Sequence, residues 1–131
     1  MKSQNIQLGL AAIFLGLGGW CLVAPRMVER LVLTPEYQHL SATSALLLGC
    51  FGAQAILAGL VIALSRFTPM TFLVFGLVGS VPFFVFNFYF VFVVELFTYW
   101  MLLDFVGNLG ILACGILGYR IRTEELNLAG I

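Results

Sequence analysis

Residues 67–94 read FTPMTFLVFGLVGSVPFFVFNFYFVFVV, without a single Asp, Glu, Lys, Arg or His. An α-helix needs about 20 mainly apolar residues to cross roughly 30 Å of hydrocarbon, so this stretch makes a lipid bilayer the expected solvent. The alternation of Phe84, Phe86, Phe88, Phe90 and Phe92 raises a lipid-spanning strand as the alternative. Barrel strands pair outward apolar with inward polar residues, whereas here Val85, Asn87, Tyr89 and Val91 intervene. That alternation is not amphipathic. A helix with apolar groups on every side fits better.

Ser3–Pro25 and Leu40–Ser65 are equally free of charge, and Leu96–Tyr119 is interrupted only by Asp104. Four helices are therefore expected, near Ile6–Ala24, Ser41–Leu64, Pro69–Val93 and Thr98–Tyr119. Composition agrees: 62% of the 131 residues are hydrophobic and 9% charged, against about 25% charged in soluble domains. Six basic residues balance six acidic ones, which leaves no field for holding DNA or RNA. The expected fold is an all-α membrane protein, one domain over residues 1–131, a bundle of four transmembrane helices with short loops.

Pro25 closes the first helix, because a proline disfavours helical geometry in the residue before it, and Thr34-Pro35-Glu36 reads as a turn or short helix start in the longest loop. Pro69 suits the start of the third helix. The third turn is marked only by Glu95 and Thr98. The first span reads as retained, since only Lys2 precedes it and a cut after Ala24 would leave Pro25 first. Lys2, Arg66, Arg120 and Arg122 fall on one side of the spans and Arg26 and Arg30 on the other, which predicts cytoplasmic termini in a bacterial-type inner membrane.

Asp104 is the residue to question first, because a carboxylate at a helix centre costs roughly 2.5–3.5 kcal/mol on insertion scales. Asn108 follows four residues later on the same face, and an antiparallel hairpin turning near Phe97 brings Asn87 to the same level. Gln54, midway along the second helix, reaches a similar depth. Gln54, Asn87, Asp104 and Asn108 are thus expected to form an intramembrane polar cluster. It serves either as interhelical glue, the favoured reading, or as a proton or cation site.

Arg26, Arg30, His39 and Glu95 are the charges expected on the outer face, with Glu95 read first as a hydrated loop carboxylate and otherwise as a partner for one of the other three. His39 is the only histidine, and Cys21, Cys50 and Cys114 lie on three helices, so neither a metal site nor a disulfide is expected. Small residues recur every fourth position: Ala12 and Gly16; Ala45, Gly49 and Ala53; Ala55, Gly59 and Ala63; Gly76 and Ser80; Gly110, Cys114 and Gly118. Such rows let helices approach closely. Phe84, Phe88 and Phe92 form an i, i+4, i+8 stripe after a kink expected at Pro82. It faces lipid, or a partner subunit, or an apolar ligand such as a quinone, carotenoid or sterol.

No phosphate loop, nucleophile elbow or catalytic triad spacing is present in the sequence. Three functions follow as expectations. The first is a non-enzymatic accessory or structural subunit of a membrane complex or a homo-oligomer. The second is a small oligomeric transporter or channel using Asp104. The third is a carrier or enzyme for a lipid-soluble molecule.

Overall fold

Helix α1 spans Ser3–Val23, and at 1.5 Å per residue its 21 residues reach about 31 Å. The computed structural model describes residues 2–130. Ala24 ends α1, and Pro25 both stops that helix and opens the next one, α2 (Pro25–Val32), where its missing N–H is harmless. The sequence reads as one loop over about Pro25 to Leu40, and this helix corrects that expectation. The segment is a short, strongly amphipathic helix with Val28 and Glu29 buried and Arg26, Met27 and Arg30 exposed.

Helix α3 (Ala42–Leu64) starts at a capping box in which Ser44 N–H donates to Ser41 Oγ at 3.0 Å and Ser41 N–H to Ser44 Oγ at 3.1 Å. Thr68 caps α4 (Pro69–Val78), accepting from Thr71 N–H at 3.1 Å. The third apolar stretch is then interrupted at Gly79 and Ser80 before α5 (Val81–Phe88) resumes, and it closes in a π-helical turn over Tyr89–Val93. The expected kink at Pro82 is thus a full break two residues earlier, with Pro82 in the first turn of the new helix. Helix α6 (Leu102–Leu128) follows a 3₁₀ turn over Tyr99–Met101 and runs well past Tyr119.

Four helical stretches are long and apolar enough to cross a membrane: Ser3–Val23, Ala42–Leu64, Pro69–Val93 and Tyr99–Leu128. Helix α1 packs on α3, α4 and α5 pack on α6, and α1 joins the two pairs by lying against α6. Among the described residues no strand forms beyond one isolated bridge, Leu33 to Phe97. Around that bridge Thr34 N–H donates to Leu96 O at 3.0 Å and Thr98 N–H to Val32 O at 2.6 Å, so the end of α2 is tied to the turn before α6.

The helices approach most closely at two glycine pairs. A Cβ on Gly52 would lie 2.5 Å from Gly18 O, and one on Gly115 would lie 2.5 Å from the Gly76 Cα. Of the residues in the four-spaced rows, Gly16 and Gly49 face open space. The buried core sits toward the end that holds the termini, where Leu10, Ile62 and Phe72 are sealed and the Phe67 and Phe72 rings meet edge-on at 5.1 Å.

Candidate functional site

Asn87 sits two residues before the π-helical turn, on the face of α5 that follows from Ser80 through Phe84 at helical spacing. That face is turned inward, so Ser80, Asn87 and Val91 are buried and the Asn87 side chain reaches α6. There Asp104 Oδ2 accepts from Asn87 Nδ2 and from Asn108 Nδ2, each at 2.9 Å. Asn87 is 1% exposed and Asn108 4%, while Asp104 is half-buried. The Asn87 bond joins α5 to α6, and the Asn108 bond, made within α6, orients the carboxylate that receives it. Asn87 Oδ1 is buried without a donor.

Gln54 stands apart from this trio, which corrects the expected foursome. It is exposed on α3, and among the described residues it hydrogen-bonds to none of the three. The reason is rotational: α3 buries Gly52, Gly59 and Ile62 against its neighbours, and Gln54 points away from that face. Cys50, Leu57, Val61 and Leu64 lie with Gln54 on one exposed stripe.

The aromatic stripe also divides. Phe84 is half-buried, its ring 5.1 Å from that of Phe105 on α6, whereas Phe88 and Phe92 are exposed and 5.8 Å from each other. A spacing of four residues overshoots one helical turn by about 40°, so a residue eight positions from Phe84 has left the inward face. Of that stripe Phe88 and Phe92 remain exposed, as are Phe83, Phe86 and Tyr89 around them, with Tyr99 beside Phe92 at 6.3 Å.

Arg26, Arg30, His39 and Glu95 are all exposed at the long-loop end, and none pairs with another. Among the described residues the one ion pair is Arg122 with Glu125, 3.0 Å apart at the opposite end. The carboxylate buried at the long-loop end is Glu29, only 6% exposed, which accepts from Ser44 Oγ at 2.7 Å. Reading the segment as a loop hid it. On a helix it falls on the apolar stripe, between Val32 and Leu33. Glu29 and Ser44 stand in the wall of a largely apolar groove of about 360 Å³ between α2 and α3.

Gln7 is a second residue that sequence reasoning passed over. Its Nε2 donates to the carbonyls of Ile62 and Ser65, and its Oε1 accepts from Phe67 N–H at 3.3 Å, so one buried amide finishes α3 and sets the turn into α4. Among the described residues no group of three or more His, Cys, Asp and Glu is placed to hold a metal ion. Cys21 and Cys114 are half-buried and Cys50 exposed, all as free thiols. The chain matches no protein-family model, no curated protein and no solved structure.

Proposed function

We propose that the protein is a non-enzymatic, self-associating subunit of a membrane, with copies meeting along the exposed face of α3. The supporting observation is Gln54, an amide midway along a helix of apolar surface and turned away from its own bundle. In hydrocarbon an unpaired amide carries a desolvation cost, and a second copy offers the complement, because each amide both donates and accepts. Cys50, Gln54, Leu57, Val61 and Leu64 are separated by four, three, four and three residues, the spacing of a coiled-coil seam. The membrane is a bacterial-type inner membrane with cytoplasmic termini, since Lys2, Arg66, Arg120 and Arg122 flank the spans at the end opposite Arg26 and Arg30.

The test is subunit counting in bilayers together with oxidation of Cys50, with Cys21 and Cys114 replaced by Ser. A Cys50–Cys50 cross-link is expected. Gln54→Leu should weaken association about three- to tenfold, the equivalent of ~0.6–1.4 kcal/mol, and Gln54→Asn should preserve it. A monomer in bilayers, or an oligomer indifferent to Gln54→Leu, overturns the reading.

One observation favours a small transporter as the second reading: the unpartnered Asn87 Oδ1 adjoins the Asp104 carboxylate, and intramembrane acids commonly handle protons or cations. Asp104→Asn removes the charge and keeps the hydrogen-bonding shape. A proteoliposome cation or proton flux abolished by that change would establish transport. The absence of such a flux in wild type, with assembly intact, leaves the subunit role.

A further inference from the structure

We propose that the groove between α2 and α3 binds a single-chain or compact hydrophobic amine, its ammonium on Glu29 and its apolar body along Val28, Leu48, Phe51 and Phe97. Three observations meet there. Glu29 is 6% exposed, and its hydrogen bond comes from the neutral hydroxyl of Ser44. No Lys or Arg lies within ion-pair distance of it among the described residues, and Arg26 and Arg30 on its own helix are exposed. The groove it lines has a volume of about 360 Å³ and a wall that is otherwise almost wholly hydrocarbon.

A carboxylate withdrawn from water calls for a compensating charge. The N-terminus of α3, reached through Ser44, supplies only the partial positive charge of a helix end, about half a unit. An ammonium supplies a whole one and donates the hydrogen bonds that carboxylate oxygens accept. Pockets for small ligands combine this type of wall with one or two polar groups that fix orientation, at volumes of roughly 300–1,000 Å³. This groove lies at the small end of that range. It suits one alkyl chain or a compact ring system rather than a two-chain lipid. Nor does the fold need the carboxylate for the start of α3, because Ser41 and Ser44 cap each other through their own hydroxyls.

The experiment uses the full chain in nanodiscs of phosphatidylcholine, with decylamine as probe and decanol as its uncharged counterpart. Decylamine should bind saturably at one site per chain, and Glu29→Gln, which keeps a partner for Ser44, should weaken it at least tenfold while decanol partitioning stays the same. Equal decylamine binding by wild type and Glu29→Gln overturns the site. Should Glu29→Gln fail to fold, Phe51→Trp decides, because Phe51 is exposed on the groove wall and a larger ring there narrows the groove with Glu29 in place. Undiminished decylamine binding in that variant also overturns the site. Replacing part of the phosphatidylcholine by phosphatidylethanolamine tests the other source of amine. Competition by that headgroup overturns the assignment to a single-chain ligand, and unchanged affinity supports it.

Discussion

Glu125, in the last turn of α6, accepts the backbone N–H of Ser3, the first residue of α1, at 2.8 Å, and the Ser3 hydroxyl at 2.6 Å. One carboxylate thus caps the positive end of another helix and joins the two ends of the chain. It lies beyond Tyr119, in the charged continuation of α6 with Arg120, Arg122 and Glu124.

The Ser3 hydroxyl and N–H, with Arg122 adding to them, hold the Glu125 carboxyl down at about 2 from an ordinary 4.5. A depressed acid contributes stability above its unfolded pKa and loses it as pH falls through the folded one. The attachment of α1 to α6 should therefore be complete above about pH 4.5 and released progressively toward pH 2. Amide exchange in the first turn of α1 reads this directly. Glu125→Gln should flatten that dependence, and a wild type whose Ser3 exchange shows no acid transition beyond that of the intrinsic rate would refute it.

The approach of α1 to α3 rests on Gly18 and Gly52. Gly52→Ala places a methyl against the Gly18 carbonyl, with backbone on both sides and no flexible side chain to yield. A loss of about 1–3 kcal/mol is expected, as for overpacking elsewhere, measured by unfolding in bilayers or mixed micelles. Gly49→Ala, facing open space, should be neutral and serves as the control.

These glycines also mark where the sequence stops being legible. The four apolar stretches stand out because each is a run of about 20 residues with almost no charge, and the bounds Ser41–Leu64 and Pro69–Val93 need little revision. Rotation about the helix axis is another matter. In α3 apolar residues occupy all faces, so nothing in the order of residues says that Gly52 faces α1 while Gly49 and Gln54 face outward. Asp104 and Asn108 are legible as partners because four residues separate them on one helix, and Asn87 because an antiparallel hairpin fixes its level. Glu29 needed α2 to be seen as a helix, and Gln7 needed the end of α3 brought beside the start of α1.

Glu95 is the one non-glycine residue with positive φ among those described, at 55°, in the turn between the π-helical segment and α6. That conformation suits Gly or Asn and penalises a β-branched residue. Glu95→Gly or Glu95→Asn should be tolerated within a few tenths of a kcal/mol, the relief of strain offsetting added freedom in the unfolded chain. Glu95→Val should cost roughly 1–3 kcal/mol. Equal stability of the Gly and Val variants would show that the turn does not hold this geometry.

Asp104 and Asn87 should contribute unequally, although one hydrogen bond joins them. Removing Asp104 as Leu strips the acceptor from two amides, those of Asn87 and Asn108, both nearly sealed from the surroundings. Each buried donor left without a partner costs about 1–3 kcal/mol. Asn87→Leu, by contrast, takes away one donor together with the carbonyl oxygen that already lacks a partner, and it leaves Asp104 still bonded to Asn108. Asp104→Leu should therefore destabilise the α5–α6 pair more than Asn87→Leu, and Asp104→Asn, whose carbonyl still accepts, should fall closest to wild type. The double variant Asn87→Leu with Asp104→Leu should be less destabilised than the two single losses added together, with a coupling of ~0.6–2 kcal/mol. Additive losses in that cycle, or an Asn87→Leu more damaging than Asp104→Leu, would mean that the shared carboxylate oxygen is not what holds α5 against α6.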